Sequence, residues 1–380
     1  MRIVVIRETD SHESRVALVP ESIRKLVALN AEVAVESGAG ADAGASDDDY
    51  AAAGARVSED RAALVESGDV FVSVNRPRAE EIDRMKKGAV VLGFLRPLDE
   101  PQSLEPIINR GLTAFAVELI PRTTRAQAMD ALSSMATVVG YKAVLIAAST
   151  LPRMFPMLTT AAGTVPPARV LVLGAGVAGL QAIATARRLG AVVEGFDIRA
   201  AAGEAVRSLG ATFVEVDLGG IQTEDAGGYA RELTEEAMDR SRAAIAKRAE
   251  SADVIIASAQ VPGRPAPLLI TGEAVAGMKR GSVIVDLAGA SGGNCALTSP
   301  GQEVLKGGVK IIAPLNLAAT VPVHASQLYS RNVTAFLNLL IKDGELNVDL
   351  SDDITGSACV AHEGRAVHPR VRAAVEGGKS

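Results

Sequence analysis

Three glycines in the second half of the chain have the spacing of a phosphate-binding turn. Gly174, Gly176 and Gly179 follow an aliphatic run at 168–173 and open a segment with helical periodicity. In this context the first glycine permits a tight turn, the second lets backbone N–H groups approach a pyrophosphate, and the third lets the helix lie close to the strand. The helix N-terminus adds unpaired N–H groups and a partial positive charge. The pattern predicts a dinucleotide site, and the alternative is a plain glycine-rich turn.

An acidic residue at the end of the next predicted strand strengthens this prediction. Asp197 stands where a carboxylate would accept hydrogen bonds from the adenine ribose hydroxyls and repel a 2′-phosphate, which favours NAD over NADP. Arg199 lies two residues further on and could pair with such a phosphate, so the preference stays open. The alternative is a solvated strand end.

A second polar group lies at 121–135, before the glycine turn. Gln127, Asp130 and Ser133 are spaced by three residues, and Arg122 precedes them. If a loop here enters a helix, these side chains converge on a cleft beside the second sheet. Asp130 and Ser133 are also good helix-capping types, and an ordinary N-cap is an equal alternative.

Groups for acid–base chemistry are scarce in this chain. The four histidines are His12 in an N-terminal loop, His324 near a helix start, and His362 and His368 in a polar tail. Oxidation of an alcohol, amine or acid needs a group that moves a proton. Hydride transfer between two nicotinamide rings moves no proton on a heteroatom and needs positioning instead. The residues therefore favour positioning chemistry.

The elements that must position these residues alternate between aliphatic runs and helical patterns from the N-terminus onward. This alternation of strand and helix patterns predicts an α/β fold of two Rossmann-like, doubly wound parallel-sheet domains. We expect them to be joined by two helices, with a cleft between them. The first domain is predicted at 1–130 and 326–380, and the second, nucleotide-binding domain at 131–325. The second sheet is predicted from six strands, at 168–174, 191–197, 211–217, 253–258, 281–286 and 309–313.

Composition limits the classes of protein. The 380 residues are 48% hydrophobic but only 3% aromatic, which suits an aliphatic core under parallel strands. A net charge of −6 argues against a nucleic-acid partner. Cys295 and Cys359 lie far apart, so neither a disulfide framework nor a metal site is expected. We expect no signal peptide and no clean membrane span of about 20 apolar residues.

A long glycine-rich connection at 217–232 stands apart from the regular elements. Loops of this length are usually functional or disordered. A mobile surface insertion is the simplest interpretation, but Tyr229 is one of only four tyrosines in the chain and lies in a loop with no core to fill.

Four segments together resemble a known family, the NAD(H)-binding component of proton-translocating nicotinamide nucleotide transhydrogenase. They are PRTTRAQAMDALSS (121–134), TTAAGTVPPAR (159–169), GAGVAGLQ (174–181) and GGNC (292–295). The resemblance covers 1–342. It implies a soluble homodimer seated on membrane-embedded subunits, which passes hydride directly to NADP(H) held by a separate component. This chain resembles the split-subunit form, so we expect it in the cytoplasm, peripheral on the inner face of the membrane through its partners.

The resemblance also implies roles for individual residues. Hydride transfer is assigned to Arg122, Gln127, Asp130 and, on a mobile loop that closes over NAD, Tyr229. The expected NAD(H) contacts are Arg122, Gln127, Asp130, Ser133, Gly174, Gly176, Val177, Ala178, Gly179, Asp197, Ile198, Arg199, Gly228, Tyr229, Leu287 and Asn316.

Alanine dehydrogenase, which resembles the same pattern, is the rival. That family holds its oxo acid with an Arg and a Lys and works with a His and an Asp. Arg15 is present here, but Asn75, Arg96 and Ala290 stand at the other three positions. Because three of these four residues are missing, we expect little or no oxo-acid reduction. A non-catalytic NAD-binding module is a further alternative.

Overall fold

The computed structural model describes residues 1–217 and 233–377. The chain divides into two compact units, the first comprising Met1–Met135 and Ala318–Ser380, the second Ala136–Leu317. The chain thus leaves the first unit near residue 135 and returns to it near residue 318, where the sequence places these crossings at 130 and 326.

The strands and helices alternate through both units. The strands are β1 (Arg2–Val5), β2 (Glu32–Glu36), β3 (Arg56–Ser58), β4 (Val70–Asn75), β5 (Val90–Phe94), β6 (Thr113–Ala116), β7 (Leu158–Thr160), β8 (Gly163–Val165), β9 (Arg169–Leu173), β10 (Val192–Phe196), β11 (Thr212–Phe213), β12 (Val254–Ala257), β13 (Val283–Asp286), β14 (Glu303–Lys306), β15 (Val309–Ile312), β16 (Ile341–Lys342), β17 (Glu345–Leu346), β18 (Cys359–His362) and β19 (Arg365–Ala366). The helices are α1 (Pro20–Val27), α2 (Asp47–Ala52), α3 (Arg61–Ser67), α4 (Ala79–Arg84), α5 (Glu105–Arg110), α6 (Ala131–Thr150), α7 (Val177–Arg188), α8 (Ala202–Ser208), α9 (Glu235–Ala249), α10 (Gly272–Gly277), α11 (Pro322–Leu340), α12 (Asp353–Ala358) and α13 (Pro369–Gly377).

The first unit contains an eight-stranded sheet in the order β19-β18-β6-β5-β4-β1-β2-β3. Strands β1 to β6 are parallel, and their order reverses direction between β1 and β4. This is the doubly wound arrangement that the sequence predicts. Helix α11 packs in this unit through buried residues, and the Tyr329 hydroxyl donates to the Ser73 carbonyl at 2.7 Å.

The C-terminal segment is more structured than the polar tail that the sequence suggests. Strand β18 pairs antiparallel with β6, and β19 pairs antiparallel with β18. Val360 and Val371 are fully buried. The apolar runs are too short to stand out in the sequence, and long-range pairing with β6 is what makes them strands.

The second unit contains a seven-stranded sheet in the order β11-β10-β9-β12-β13-β15-β14. The six predicted strands are present and parallel, although the third shrinks to the two residues of β11. The seventh strand, β14, was not predicted; it is short, largely exposed and antiparallel to β15. The core of this unit is aliphatic, as the composition indicates.

A long helix, α6, begins immediately after Asp130, while residues Gln127–Met129 form a separate 3₁₀ turn. Among the described residues, α6 is the one helix long and apolar enough to cross a membrane, so by length and composition the expectation of no such apolar run is wrong. Its charged residue is Lys142. Ala143, Val144 and Ala147 are fully buried in the core of the second unit, and 39% of the apolar stretch is buried.

Candidate nucleotide-binding site

The three glycines at the junction of β9 and α7 each have a different structural role. Gly174 has φ of +90°, a conformation that side chains disfavour. A Cβ atom at Gly179 would lie 1.8 Å from the Gly174 carbonyl oxygen, so the helix can start only with glycine there. Gly176 is exposed and a Cβ atom on it would meet nothing within 4 Å. The space over Gly176 is therefore open to a ligand.

The start of helix α7 is left available for an anion. Its N-cap is Gly176, which offers no side-chain cap to the first N–H groups. Val177 is exposed and Ala178 is partly exposed at the first turn. Uncapped N–H groups and the helix dipole suit a phosphate, so the site fits the pyrophosphate of a dinucleotide.

Ser258 at the end of β12 supports this turn, and sequence reasoning did not single it out. Its hydroxyl lies 3.1 Å from the Gly174 carbonyl oxygen and 3.2 Å from that of Leu173. Its position directly after a buried strand of the same sheet was the available signal.

Helix α6 also depends on a glycine at its contact with α7. A Cβ atom at Gly140 would lie 2.1 Å from the Ala178 carbonyl oxygen. Gly140 therefore allows α6 to pack directly against the first turn of α7. Nothing in the local sequence distinguishes this glycine from a random one in a helix.

The carboxylate of Asp197 lies at the end of β10 and is nearly buried, with 6% of its side chain exposed. Its Oδ2 accepts from the Ala175 N–H at 2.7 Å and from Nη2 of Arg199 at 2.8 Å. Its Oδ1 accepts from the backbone N–H and Nε of Arg199, both at 2.9 Å. Arg199 thus forms a two-pronged ion pair with the predicted ribose acid.

The other expected contacts in this unit follow neighbouring strands. Ile198 follows β10, Leu287 follows β13 and Asn316 comes shortly after β15, and each is partly exposed. The carboxyl ends of parallel strands lie at one edge of a sheet, the usual ligand edge of this architecture. The tertiary structure brings these residues to the edge that carries the glycine turn and Asp197.

A buried carboxylate shapes the loop after β13. Asp286 is fully buried and accepts from the backbone N–H groups of Ala288, Asn294 and Cys295 and from the Thr298 hydroxyl. The Asn294 side chain in turn bonds Ala259 through both its amide atoms. The GGNC segment is therefore a structural brace for the loops at this edge.

The polar group of the first unit lies on a loop and a helix start. Asp130 accepts from the backbone N–H of Ser133 at 2.8 Å and from its hydroxyl at 2.5 Å. Asp130 therefore caps α6, as the N-cap alternative predicts. Arg122 and Gln127 have exposed side chains. Gly228 and Tyr229 lie outside the described residues.

Two of the residues at the alanine dehydrogenase positions, Arg15 and Asn75, bind the same carboxylate, that of Glu13. The Arg15 guanidinium binds both carboxylate oxygens of Glu13, at 2.7 and 2.6 Å, and both side chains are buried. Asn75 donates to Glu13 at 3.0 Å and to Glu8 at 3.3 Å. Burial raises the pKa of Glu8 to about 7. Arg15 is already paired with the carboxylate of Glu13, an unfavourable setting for an anionic oxo acid.

The fold and this site together define a class of protein. Two Rossmann-like units, one carrying a glycine turn, an uncapped helix and a ribose-type acid, are the architecture of NAD-binding, dehydrogenase-like proteins.

Comparison with known proteins identifies the family. Residues 4–139 match the alanine dehydrogenase/PNT N-terminal domain and residues 143–369 its C-terminal domain. The chain belongs to this family, and within it to the NAD(P) transhydrogenase alpha subunits. It is 46% identical to an NAD(P) transhydrogenase alpha-subunit protein of Rhodospirillum rubrum, over 97% of this chain and 98% of that protein.

Solved structures agree with both the family and the transhydrogenase assignment. A transhydrogenase from Sinorhizobium meliloti has a TM-score of 0.88 at 42% identity, covering 96% of this chain and 100% of that one. An L-alanine dehydrogenase has a TM-score of 0.82 at 28% identity, with both chains covered completely. The relation to alanine dehydrogenase that the sequence suggests is thereby confirmed.

Proposed function

We propose that this chain binds NADH in its second unit and passes hydride directly to NADP⁺ held by a separate component, as the NAD(H)-binding subunit of a proton-translocating transhydrogenase. The observation that carries the proposal is the open, uncapped start of α7 at Gly176 beside the buried carboxylate of Asp197. The names of the transhydrogenase relatives support the reaction.

The chain's own residues bind and orient the nucleotide. The first N–H groups of α7 hold the pyrophosphate, and Asp197 receives the adenine ribose. Ile198, Leu287 and Asn316 line the same edge of the sheet. Bound NADH supplies the hydride.

The first unit contributes polar residues that move no proton. Arg122 and Gln127, with exposed side chains, orient the dihydronicotinamide and contact the partner component. Asp130 and Ser133 hold the start of α6 while they contact the nucleotide. The resemblance assigns a further nucleotide contact to Tyr229, which lies outside the described residues. Positioning of two rings at about 3 to 3.5 Å is sufficient for this chemistry.

Proton translocation belongs to the partners in this proposal. The chain works as a homodimer on the cytoplasmic face of the membrane, docked on membrane-embedded subunits and on the NADP(H)-binding component. Hydride transfer between the two nicotinamides consumes no proton. Its coupling to proton translocation is therefore conformational.

An amino-acid dehydrogenase is the second candidate, and the first unit argues against it. Arg15 is committed to Glu13, and Asn75 replaces the second cation. The exposed Arg96 stands at the position of the proton-transferring histidine. Turnover of NADH by the isolated chain with pyruvate and ammonia should therefore be absent.

The decisive experiment mixes the full chain with a partner component loaded with an NADP⁺ analogue whose reduced form absorbs at its own wavelength. Reduction of the analogue by NADH, dependent on both proteins, supports the proposal. NADH binding without reduction would show a non-catalytic binding module instead. Robust turnover with pyruvate and ammonia would establish the amino-acid dehydrogenase.

A further inference from the structure

The 3₁₀ turn Gln127–Met129 is attached to the returning segment of the chain by a buried amide. Asn332 on α11 is 7% exposed, and its Nδ2 donates to the Ala128 carbonyl at 2.8 Å. Ala126 before the turn and Met129 at its end are buried, while Gln127 between them is exposed. Gln127 is therefore presented to solvent from a turn whose two ends and carbonyl are fixed.

Asn332 keeps this contact at an energetic cost. Its Oδ1 is buried and has no hydrogen-bond partner. A buried carbonyl without a donor is destabilising, and an apolar side chain of similar size would avoid it. The neighbouring buried positions on α11 include the apolar residues Val333, Phe336 and Leu337 and the polar Thr334, whose hydroxyl bonds within the helix. Packing alone gives no reason for an amide at this position.

A second attachment lies on the other side of Gln127. The Arg125 guanidinium binds both oxygens of Asp352, at 2.7 and 2.9 Å, and also reaches Asp353. Asp352 accepts from the N–H groups of Ile354 and Thr355 and so caps α12. A fork of this kind fixes orientation even where exposure keeps its energy small.

We propose that Asn332 is a positioning residue for hydride transfer, which holds the Ala128 carbonyl and thereby the direction of Gln127, with the Arg125–Asp352 pair as a second support. This inference rests on the proposed function, because it assigns Gln127 to the nucleotide. Asn332 itself contacts neither nucleotide in this proposal. A misplacement of about 1 Å at a reacting centre costs up to about 100-fold in rate.

The test is Asn332→Leu in the full chain, assayed with the NADP⁺-analogue-loaded partner. Single-turnover hydride transfer should slow about 10- to 100-fold, while the Kd for NADH changes less than about threefold. Thermal stability should stay the same or rise, because the unpaired Oδ1 is removed and Ala128 is exposed enough for water to replace the lost donor. A structural role alone predicts the opposite, a loss of stability with the rate retained in the folded fraction.

Thr334→Val is the matched control, because Thr334 is a buried polar residue on the same helix whose hydroxyl bonds only within α11, to the Ser330 carbonyl. It should transfer hydride at the wild-type rate. Arg125→Gln is the second variant, since its exposed side chain can be changed without a folding defect; it should slow transfer several-fold with NADH affinity kept.

The outcomes separate the two proposals. If the wild-type chain with its partner transfers no hydride, the proposed function fails. If the wild type transfers and both Asn332→Leu and Arg125→Gln match its rate, the positioning role is wrong. A loss of stability in Asn332→Leu with the transfer rate retained in the folded fraction would also overturn it, in favour of a structural role.

Discussion

The guanidinium of Arg199 occupies both oxygens of the Asp197 carboxylate, at 2.9 Å through Nε and 2.8 Å through Nη2. With the backbone donors of Ala175 and Arg199, each carboxylate oxygen already accepts two hydrogen bonds. A carboxylate offers about four such positions. In the proposed complex, Arg199 therefore has to move before ribose hydroxyls reach Asp197, and its charge would offset the repulsion of a 2′-phosphate.

Replacement of this arginine should change the choice between nucleotides. We expect Arg199→Ala to strengthen NADH binding a few-fold and to weaken NADPH binding. The Kd for NADPH divided by the Kd for NADH should rise about tenfold, equivalent to about 1.4 kcal/mol. Titrations followed by nucleotide fluorescence measure both constants. Arg248→Ala, which removes an arginine paired with Glu194 on the same strand, is the control. An unchanged ratio would mean that Arg199 takes no part in discrimination.

Substitution of two glycines of the turn should affect different properties, NADH binding at Gly176 and folding stability at Gly179. Gly176→Ala meets no atom within 4 Å, so the variant should fold with wild-type stability but lose NADH affinity by about tenfold or more, because its Cβ projects into the proposed pyrophosphate space. Gly179→Ala would place Cβ 1.8 Å from the Gly174 carbonyl and should lower the free energy of unfolding by about 2 kcal/mol or more. Calorimetry and NADH titration of the pair check both. Equal stability of the two variants would contradict the assignment.

Gln127 should matter for transfer rather than for affinity. Gln127→Asn keeps the amide but shortens the side chain by one methylene, so we expect slower hydride transfer with the Kd for NADH largely unchanged. Stopped-flow transfer to the loaded partner and equilibrium titration give the two values. A large loss of NADH affinity would instead mean that Gln127 contributes mainly to binding NADH.

Glu118 should make stability fall as pH rises. Burial raises its pKa from 4.5 to about 7, and its Oε2 is sealed from solvent without a partner. Between these pH values the folded chain holds more protons than the unfolded chain, so this stabilisation is complete below about pH 4.5 and is lost as pH rises through about 7.

The Glu118→Gln variant tests that sign. Relative to wild type it should gain roughly 1 to 3 kcal/mol of unfolding free energy at pH 8 compared with pH 5. Urea unfolding at both pH values measures this difference, with the exposed Glu105→Gln as control. Parallel pH profiles for wild type and variant would refute a buried, proton-holding Glu118.

Much of the geometry of the candidate nucleotide site could be predicted because its signals are local. Gly174, Gly179 and Asp197 follow directly from strand, turn and helix patterns, since a positive φ and a close helix start depend on neighbouring residues. The parallel strands of the second sheet were predictable for the same reason. Their aliphatic runs mark strands that are buried on both faces.

Only the tertiary structure decided how the remaining side chains are used. Arg199 turns back onto Asp197, Gly140 meets Ala178, and Asn332 reaches Ala128 across 204 residues. The tail becomes strands because β6 offers an unpaired edge. Such contacts depend on which distant residues packing brings together. Residue type and local spacing identified the groups able to bind a dinucleotide, whereas long-range packing set which of them are presented, paired or braced.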